Sequence, residues 1–143
     1  MKLFWEVFWS FCACLAFGVI FRLRGGKLFC AAFGAALGWL VFRLANRLPG
    51  SDIADYFLAT IVISIYSEIM ARLFRAPVSI YLAVALIPLV PGGGIYDTME
   101  QCLIGNASEA ARLGLHTVGI AGALAIGIVM VSSTVRILTH QRR

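Results

Sequence analysis

Charged residues are scarce in this sequence. Asp, Glu, Lys and Arg make up 13% of its 143 residues, whereas soluble domains contain about 25%. Hydrophobic residues reach 61%, and the mean hydropathy is +0.91. So little charge cannot cover a water-facing surface, which excludes an ordinary soluble domain. We therefore predict an all-α polytopic membrane protein, with residues 1–143 forming a single transmembrane domain in a lipid bilayer.

Motifs of enzymes and metal sites are also missing. The sequence has no G-x-S-x-G, no H-E-x-x-H, and no cluster of Cys, His, Asp or Glu with metal-ligand spacing. Its four cysteines include no C-x-x-C pair and lie in apolar runs, where free Cys behaves as a small hydrophobe. We therefore predict no enzymatic activity, no cofactor and no bound metal.

Five apolar segments approach the length of about 20 residues that a spanning helix needs. They cover residues 3–21, 28–42, 53–74, a fourth span in two parts (78–90 and 95–104), and 110–135. An odd number of spans cannot be divided into two equal inverted halves, as many transporters are. The chain is therefore expected to need a partner subunit or copies of itself.

The basic residues sit in short clusters between the spans, which is typical of topology signals and not of a nucleic-acid-binding face. With the N-terminus outside, the inner side holds eight basic residues, Arg22, Arg24, Lys27, Arg72, Arg75, Arg136, Arg142 and Arg143. The outer side then holds four, Lys2, Arg43, Arg47 and Arg112. This asymmetry predicts an outer N-terminus and a cytoplasmic C-terminus. No nucleic-acid partner is expected.

The fourth span is interrupted by prolines and glycines. Pro88 and Pro91 remove amide donors, and the three glycines that follow, Gly92, Gly93 and Gly94, disfavour a helix. Open backbone at membrane depth is tolerated inside protein or along a wet cavity. A second half-helix starting near Ile95 would direct its positive end at a substrate carboxylate. The alternative is two short helices joined by a plain loop at the outer surface.

Several ionisable residues lie in or near the predicted spans. Asp97 follows the break, where it either caps a helix or forms a proton or cation site. Glu68 shares an i+4 row with Asp52, Tyr56, Thr60, Ser64 and Arg72, and this row is expected to face the bundle. Glu68 either pairs with Arg72 or couples proton movement. His116 is either a packing residue or a proton relay.

Small residues recur every four positions in two of the predicted spans. Gly34 and Gly38 lie in the second span, and Gly119, Ala123 and Gly127 lie in the fifth. Such rows allow helices to approach closely, so they are predicted to be helix-packing positions.

Four segments together resemble the threonine/serine exporter (ThrE) family. They are S-E-I-M-A-R at 67–72 followed by Pro77, I-P-L-V-P-G-G-G-I-Y at 87–96, G-A-A-L-G-W at 34–39 and G-A-L-A-I-G at 122–127. The likeness covers residues 28–136 and is to the C-terminal half of the fused exporters, which also occurs as a separate small subunit of the YjjB-like type. The positions that match the family pattern are Glu68, Arg72, Pro77, Pro88, Pro91, Gly92, Gly93, Gly94 and Tyr96.

The resemblance implies a subunit of an exporter that works with a larger membrane subunit of the same family. It implies export of threonine and serine, or of small dicarboxylates such as succinate, driven by the proton motive force. Asp97 departs from the family pattern, in which an uncharged residue is common. The extra acid favours a cationic or zwitterionic substrate if it does not merely cap a helix. The alternative function is a non-transporting scaffold that docks a larger partner through its small-residue faces.

Overall fold

The computed structural model describes residues 2–47 and 49–140, and Arg142 and Arg143 of the predicted inner cluster lie outside them. Helices account for all regular structure in these ranges. They are α1 (Lys2–Ile20), α2 (Gly26–Ala45), α3 (Asp52–Leu73), α4 (Val78–Leu86), α5 (Gly92–Ile104) and α6 (Ala107–His140), with a 3-10 turn at Ile87–Leu89 between α4 and α5. The predicted all-α fold is confirmed.

Four of these helices, α1, α2, α3 and α6, are long and apolar enough to cross a membrane. The fifth candidate is a bent pair, in which Val78–Leu89 and Gly92–Ile104 meet at 49°. The fourth span is therefore broken where the sequence predicts. Two spans are longer than predicted, because α2 extends to Gly26 and Ala45, and α6 extends to Ala107 and His140.

The break itself is narrower than the sequence predicts, since the helix resumes at Gly92 and not near Ile95. Only Val90 and Pro91 separate the 3-10 turn from α5. The glycines are helical because they form the first turn of α5, where the backbone amides need no partner four residues earlier. Glycine is a poor helix former in a helix interior, but that penalty matters less at a first turn.

The core is built around α2, which packs against α1, α3 and α4. Its glycines allow close approach: a Cβ at Gly34 would lie 2.8 Å from Tyr66 Cε1, and a Cβ at Gly38 would lie 2.6 Å from Ile63 Cγ2. The Tyr66 hydroxyl donates to the Cys30 carbonyl oxygen at 2.8 Å, which ties α3 to α2. These contacts bring the first half of the chain into one packed unit.

The long helix α6 runs parallel to α3 and packs along it. A Cβ at Gly119 would lie 2.9 Å from Ile53 Cδ1, and one at Gly127 would lie 3.0 Å from Thr60 Cγ2. Ala123, between these two glycines, is buried. The first turns of α6 instead pack against α5, because α3 begins only at Asp52.

The two ends of the bundle differ in charge. At the end where α2 stops and α3 starts lie six of the seven acids, Glu6, Asp52, Asp55, Asp97, Glu100 and Glu109. We call it the acidic end. At the opposite end lie six exposed basic residues, Arg22, Arg24, Lys27, Arg72, Arg75 and Arg136. We call it the basic end.

At the basic end, α1 and α3 each stop at an arginine in the left-handed backbone region. The φ angle is 59° at Arg22 and 47° at Arg75. Left-handed backbone costs a residue with a side chain about 1–2 kcal/mol, and glycine is usual there. By contrast α5, at the acidic end, stops at Gly105, whose φ is 85°.

The i+4 row predicted to face the bundle does so only in part. Thr60 and Ser64 are buried, but Asp52 and Arg72 at its two ends are exposed. The reason is the helix pitch: a step of four residues turns about 40° past one full turn, so the row winds to another face. Asp55, Ile63 and Ser67 occupy the buried face in its place.

Candidate substrate site at the acidic end

A cavity of about 530 Å³ opens at the acidic end, beneath the bend between α4 and α5. Four parts of the chain line it. They are the last turns of α2 (Trp39, Phe42, Arg43, Asn46), the first turn of α3 (Asp52, Tyr56), the break and α5 (Pro88, Val90, Pro91, Gly92, Gly93, Gly94, Asp97), and α6 (Leu113, His116, Thr117, Ile120).

Two of the glycines at the break face open space. A Cβ added at Gly92 or Gly93 would have no atom within 4 Å, so packing does not require glycine there. Gly94 is different, because a Cβ there would collide with the hydroxyl of Thr117 on α6. Gly94 therefore lets α5 approach α6, and the first two glycines keep the cavity wall open.

Backbone donors of α5 are left available at this wall. The Gly92 amide donates to the Val90 carbonyl at 2.7 Å, and the Ile95 amide donates to the Pro91 carbonyl at 3.2 Å. Among the described residues, the amides of Gly93 and Gly94 have no acceptor, and no side chain caps the helix. A helix N-terminus with free amides carries partial positive charge and favours an anionic group.

Trp39 adds another donor without an acceptor. Its indole N–H is buried and has no hydrogen-bond partner within the described parts of the chain, while the residue lines the cavity. Buried donors in native proteins are nearly always paired with protein or water. Trp39 therefore gives the cavity wall a further group that needs an acceptor.

Arg43 is the basic residue of the cavity, and α1 holds it in place. Its Nε lies 2.7 Å from one carboxylate oxygen of Glu6, and its terminal NH2 donates to the other oxygen at 3.1 Å. This two-point geometry fixes the guanidinium plane. Arg43 thus reaches the cavity with its charge already partly balanced.

Asp52, which also lines the cavity, lies in a small polar network. The Asn46 amide donates to Asp52 at 3.0 Å and to the buried Asp55 at 3.2 Å, which joins α2 to α3. His116 Nε2 on α6 lies 4.0 Å from the second carboxylate oxygen of Asp52. The network positions one acid and one titratable base at the mouth of the cavity.

Of the residues predicted for the substrate path, six line this cavity: Pro88, Pro91, Gly92, Gly93, Gly94 and Asp97. Tyr96 does not line it, and its side chain is 67% exposed. The helix starting at Gly92 turns about 100° per residue, so Asp97 and Tyr96 point in different directions.

The predicted ion pair between Glu68 and Arg72 is not formed. Arg72 instead donates to the Thr139 hydroxyl on α6 at 2.8 Å, because its side chain extends across to that helix. Both residues line a separate cavity of about 350 Å³ between α3 and α6, at the basic end. Glu68 is half-buried there and has no ion-pair partner among the described residues.

Sequence reasoning missed the other walls of the acidic-end cavity. Trp39 falls within the predicted second span, and Arg43 and Asn46 lie between the second and third predicted spans. One signal was available: spans of alternating direction bring the end of α2, the start of α3 and the break to the same membrane side. Which side chains then face one another depends on helix rotation, which the sequence does not determine.

A family model described as Threonine/Serine exporter, ThrE, matches residues 6–134. The match includes every residue that lines the acidic-end cavity. It confirms the resemblance seen in the sequence motifs. Comparisons with curated proteins and with solved structures gave no match.

Proposed function

Since the chain belongs to the threonine/serine exporter family, we propose that it is a subunit of a secondary exporter of small polar metabolites in a bacterial inner membrane. Threonine and serine are the substrates that we propose first. The observation that carries the proposal is the cavity beneath the α4–α5 bend, where free backbone donors and carboxylates face one space. The N-terminus is proposed to lie outside and the C-terminus in the cytoplasm.

The donors of the cavity suit a carboxylate. The free amides of Gly93 and Gly94 lie in the first turn of α5. The Trp39 indole and Arg43 line the same cavity. Discontinuous helices in other transporters direct such N-termini at the carboxylates of their substrates. We propose that the substrate carboxylate binds at the start of α5.

The acids of the cavity suit an ammonium group. Asp52 and Asp97 both line it, and the charge of Arg43 is already balanced by Glu6. A zwitterion can place its carboxylate on the α5 amides and its ammonium beside these acids. Succinate would bring a second carboxylate to Asp52 and Asp97, and like charges repel. The cavity therefore favours threonine and serine over a dicarboxylate.

We propose that Glu68 carries the coupling proton. It is an acid on a spanning helix, it is half-buried, and it lines the second cavity. Ionisable residues within spans commonly mark proton or substrate pathways. Protonation of Glu68 would be linked to substrate release through α3 and α6, which line both cavities.

The subunit is proposed to act with a larger membrane subunit of the same family, with copies of itself, or with both. None of the residues of α5 is buried, and its apolar side chains, such as Leu103 at 89% exposure, face outwards. A helix that borders the substrate cavity and has one packed neighbour, α6, leaves room for another subunit to complete the path.

The scaffold alternative relies on small-residue faces that dock a partner. In this fold Gly34 and Gly38 are covered by Tyr66 and Ile63, and Gly119 and Gly127 by Ile53 and Thr60. These faces are filled by the chain's own side chains, so they are not free to receive a partner helix. This favours the transporter over the scaffold.

The proposal is tested by efflux of labelled serine or threonine from loaded bacterial cells, with the candidate larger subunit expressed throughout. We expect efflux to rise only when this chain is also expressed, and labelled succinate to respond less. If neither amino acid nor succinate leaves the cells faster, the export assignment is wrong and the scaffold alternative gains support.

A further inference from the structure

The basic end is a continuous positive surface formed by two neighbouring turns. One turn connects α1 to α2 and carries Arg22, Arg24 and Lys27, and the other follows α3 and carries Arg75. The turns are adjacent, because a Cβ at Gly26 would lie 3.4 Å from the Phe74 ring. All of these basic side chains are exposed, and Glu68, which is half-buried, is the one acid among the described residues that lies outside the acidic end.

The two turns share one hydrogen-bond pattern. After α1, the Arg22 amide donates to the Val19 carbonyl and the Leu23 amide to the Gly18 carbonyl, both at 2.9 Å. After α3, the Arg75 amide donates to the Arg72 carbonyl at 3.4 Å and the Ala76 amide to the Ala71 carbonyl at 3.0 Å. This is the Schellman arrangement, in which the left-handed residue is usually glycine.

Arginine occupies the left-handed position in both turns at the basic end, whereas Gly105 occupies it after α5. A strained residue that persists where a relaxed one would fit commonly serves a function. Here the difference between the strained and the relaxed residue is an exposed guanidinium group. The two turns therefore retain positive charge at positions where the backbone favours glycine.

A cavity of about 610 Å³ lies beside the first turn. Its lining combines two cationic side chains, Arg22 and Arg24, with the apolar side chains of Val19, Leu23 and Leu28. A phospholipid has the matching chemistry, since its phosphate follows directly on the hydrophobic glycerol and acyl region. A soluble phosphate compound would use the arginines but not the apolar wall.

From these features we infer that the basic end binds anionic phospholipid headgroups, with Arg22 and Arg75 as principal contacts. Juxtamembrane basic clusters are attracted to anionic lipid, and each Lys or Arg near the surface strengthens binding roughly fivefold. The inference does not depend on the transported substrate. It explains why both turns carry arginine where glycine is usual.

The test uses the full chain purified in a neutral detergent, with phosphatidylglycerol, phosphatidylcholine or soluble glycerol 1-phosphate added. Thermal unfolding is followed by tryptophan fluorescence at increasing lipid, and an apparent Kd is taken from the rise in Tm. The double variant Arg22→Gly, Arg75→Gly is compared with Arg22→Lys, Arg75→Lys, which keeps both charges. Glycine suits the left-handed backbone, so the glycine variant is expected to unfold at no lower Tm in phosphatidylcholine.

We expect phosphatidylglycerol to raise the Tm of the unaltered chain, and phosphatidylcholine and glycerol 1-phosphate to leave it unchanged. The glycine variant should bind phosphatidylglycerol roughly 25-fold more weakly, at about fivefold per charge, and the lysine variant should stay close to the unaltered chain. An unchanged Kd in the glycine variant would overturn the inference. So would an equal response to glycerol 1-phosphate, which would indicate a site for a soluble anion.

Discussion

Helices stop differently at the two ends of this bundle. At the basic end, α1 and α3 stop in the same kind of turn, each with an exposed arginine in a left-handed conformation. At the acidic end, the fourth span stops at Pro91 and restarts at once with free amides and no side-chain cap. The basic end therefore presents side-chain charge at its turns, and the acidic end presents bare backbone beside a cavity.

This difference suits the two ends to two kinds of ligand, a lipid surface and a small substrate. Side-chain charge at the basic end suits a lipid surface, where many headgroups can be bound without fixed geometry. Backbone donors at the acidic end are held by the helix, and they line the same cavity as two carboxylates. Rigid and convergent groups are those that a small substrate requires.

The largest effect expected from a single charge change is at Asp97. Asp97→Asn removes the proposed ammonium partner while preserving the shape of the side chain, so serine efflux at limiting substrate should fall roughly tenfold. Glu100→Gln on the same helix is the control, because Glu100 is exposed and does not line the cavity. Equal efflux by the two variants would remove Asp97 from the substrate site.

A substitution at Glu68, in the cavity at the basic end, should weaken the coupling of transport to the pH gradient and leave substrate binding intact. Glu68→Gln cannot release a proton, so proteoliposomes containing it and the larger subunit should lose most of the acceleration by an imposed pH gradient, roughly fivefold or more. Serine counterflow without a gradient should persist. Glu109→Gln, at the acidic end and outside this cavity, is the control. Unaltered acceleration in Glu68→Gln would place coupling elsewhere, with His116 beside Asp52 as the next position to test.

A smaller effect on transport is expected from breaking the Glu6–Arg43 ion pair at the acidic end. Glu6→Gln leaves Arg43 without its charge partner and makes the cavity more positive, so inhibition of serine efflux by succinate should strengthen roughly two- to fivefold. Arg112 forms a comparable exposed pair with Glu109, which makes Glu109→Gln a matched control outside the cavity. If succinate inhibits both variants equally, Glu6 does not tune the cavity.

The smallest effect concerns the turns themselves. Gly105→Arg reproduces at the acidic end the residue found in the basic-end turns, and it should cost about 1 kcal/mol, or about 3 °C in Tm. Gly105→Asn should cost less, since Asn tolerates left-handed backbone. A Tm unchanged by arginine would mean that the two ends do not differ in backbone strain.

Part of this arrangement could be predicted from the sequence. Apolar length predicts the spans, and two prolines within four residues predict the region of the break, because their missing amides remove helix hydrogen bonds. The restart at Gly92 was not predicted, since glycine propensity describes a helix interior and not a first turn. The left-handed arginines were also missed. After α1 the expected sites for such a turn are Gly25 and Gly26, and no glycine marks the turn at Arg75.

The lining of the cavity could not be predicted, because it depends on helix rotation, which the sequence alone does not give. Glu6 and Arg43 are 37 positions apart, and their pairing depends on how α1 rotates against α2. The buried face of α3 depends likewise on its rotation, so Glu68 lies on a groove and Ser67 lies in the core. Helix rotation is set by packing over the whole bundle, which local spacing does not determine.

The cavity at the α4–α5 bend is the proposed substrate site, and a substitution at Gly93 tests this most directly. Gly93→Leu adds a side chain to the lining of the cavity, and no atom lies within 4 Å of the position of its Cβ. Gly122→Leu is the matched control, since its Cβ position on α6 is equally free and lies outside the cavity. With equal amounts of both variants in the membrane, we expect serine efflux to be abolished by Gly93→Leu and kept by Gly122→Leu. Normal efflux by Gly93→Leu would contradict the account.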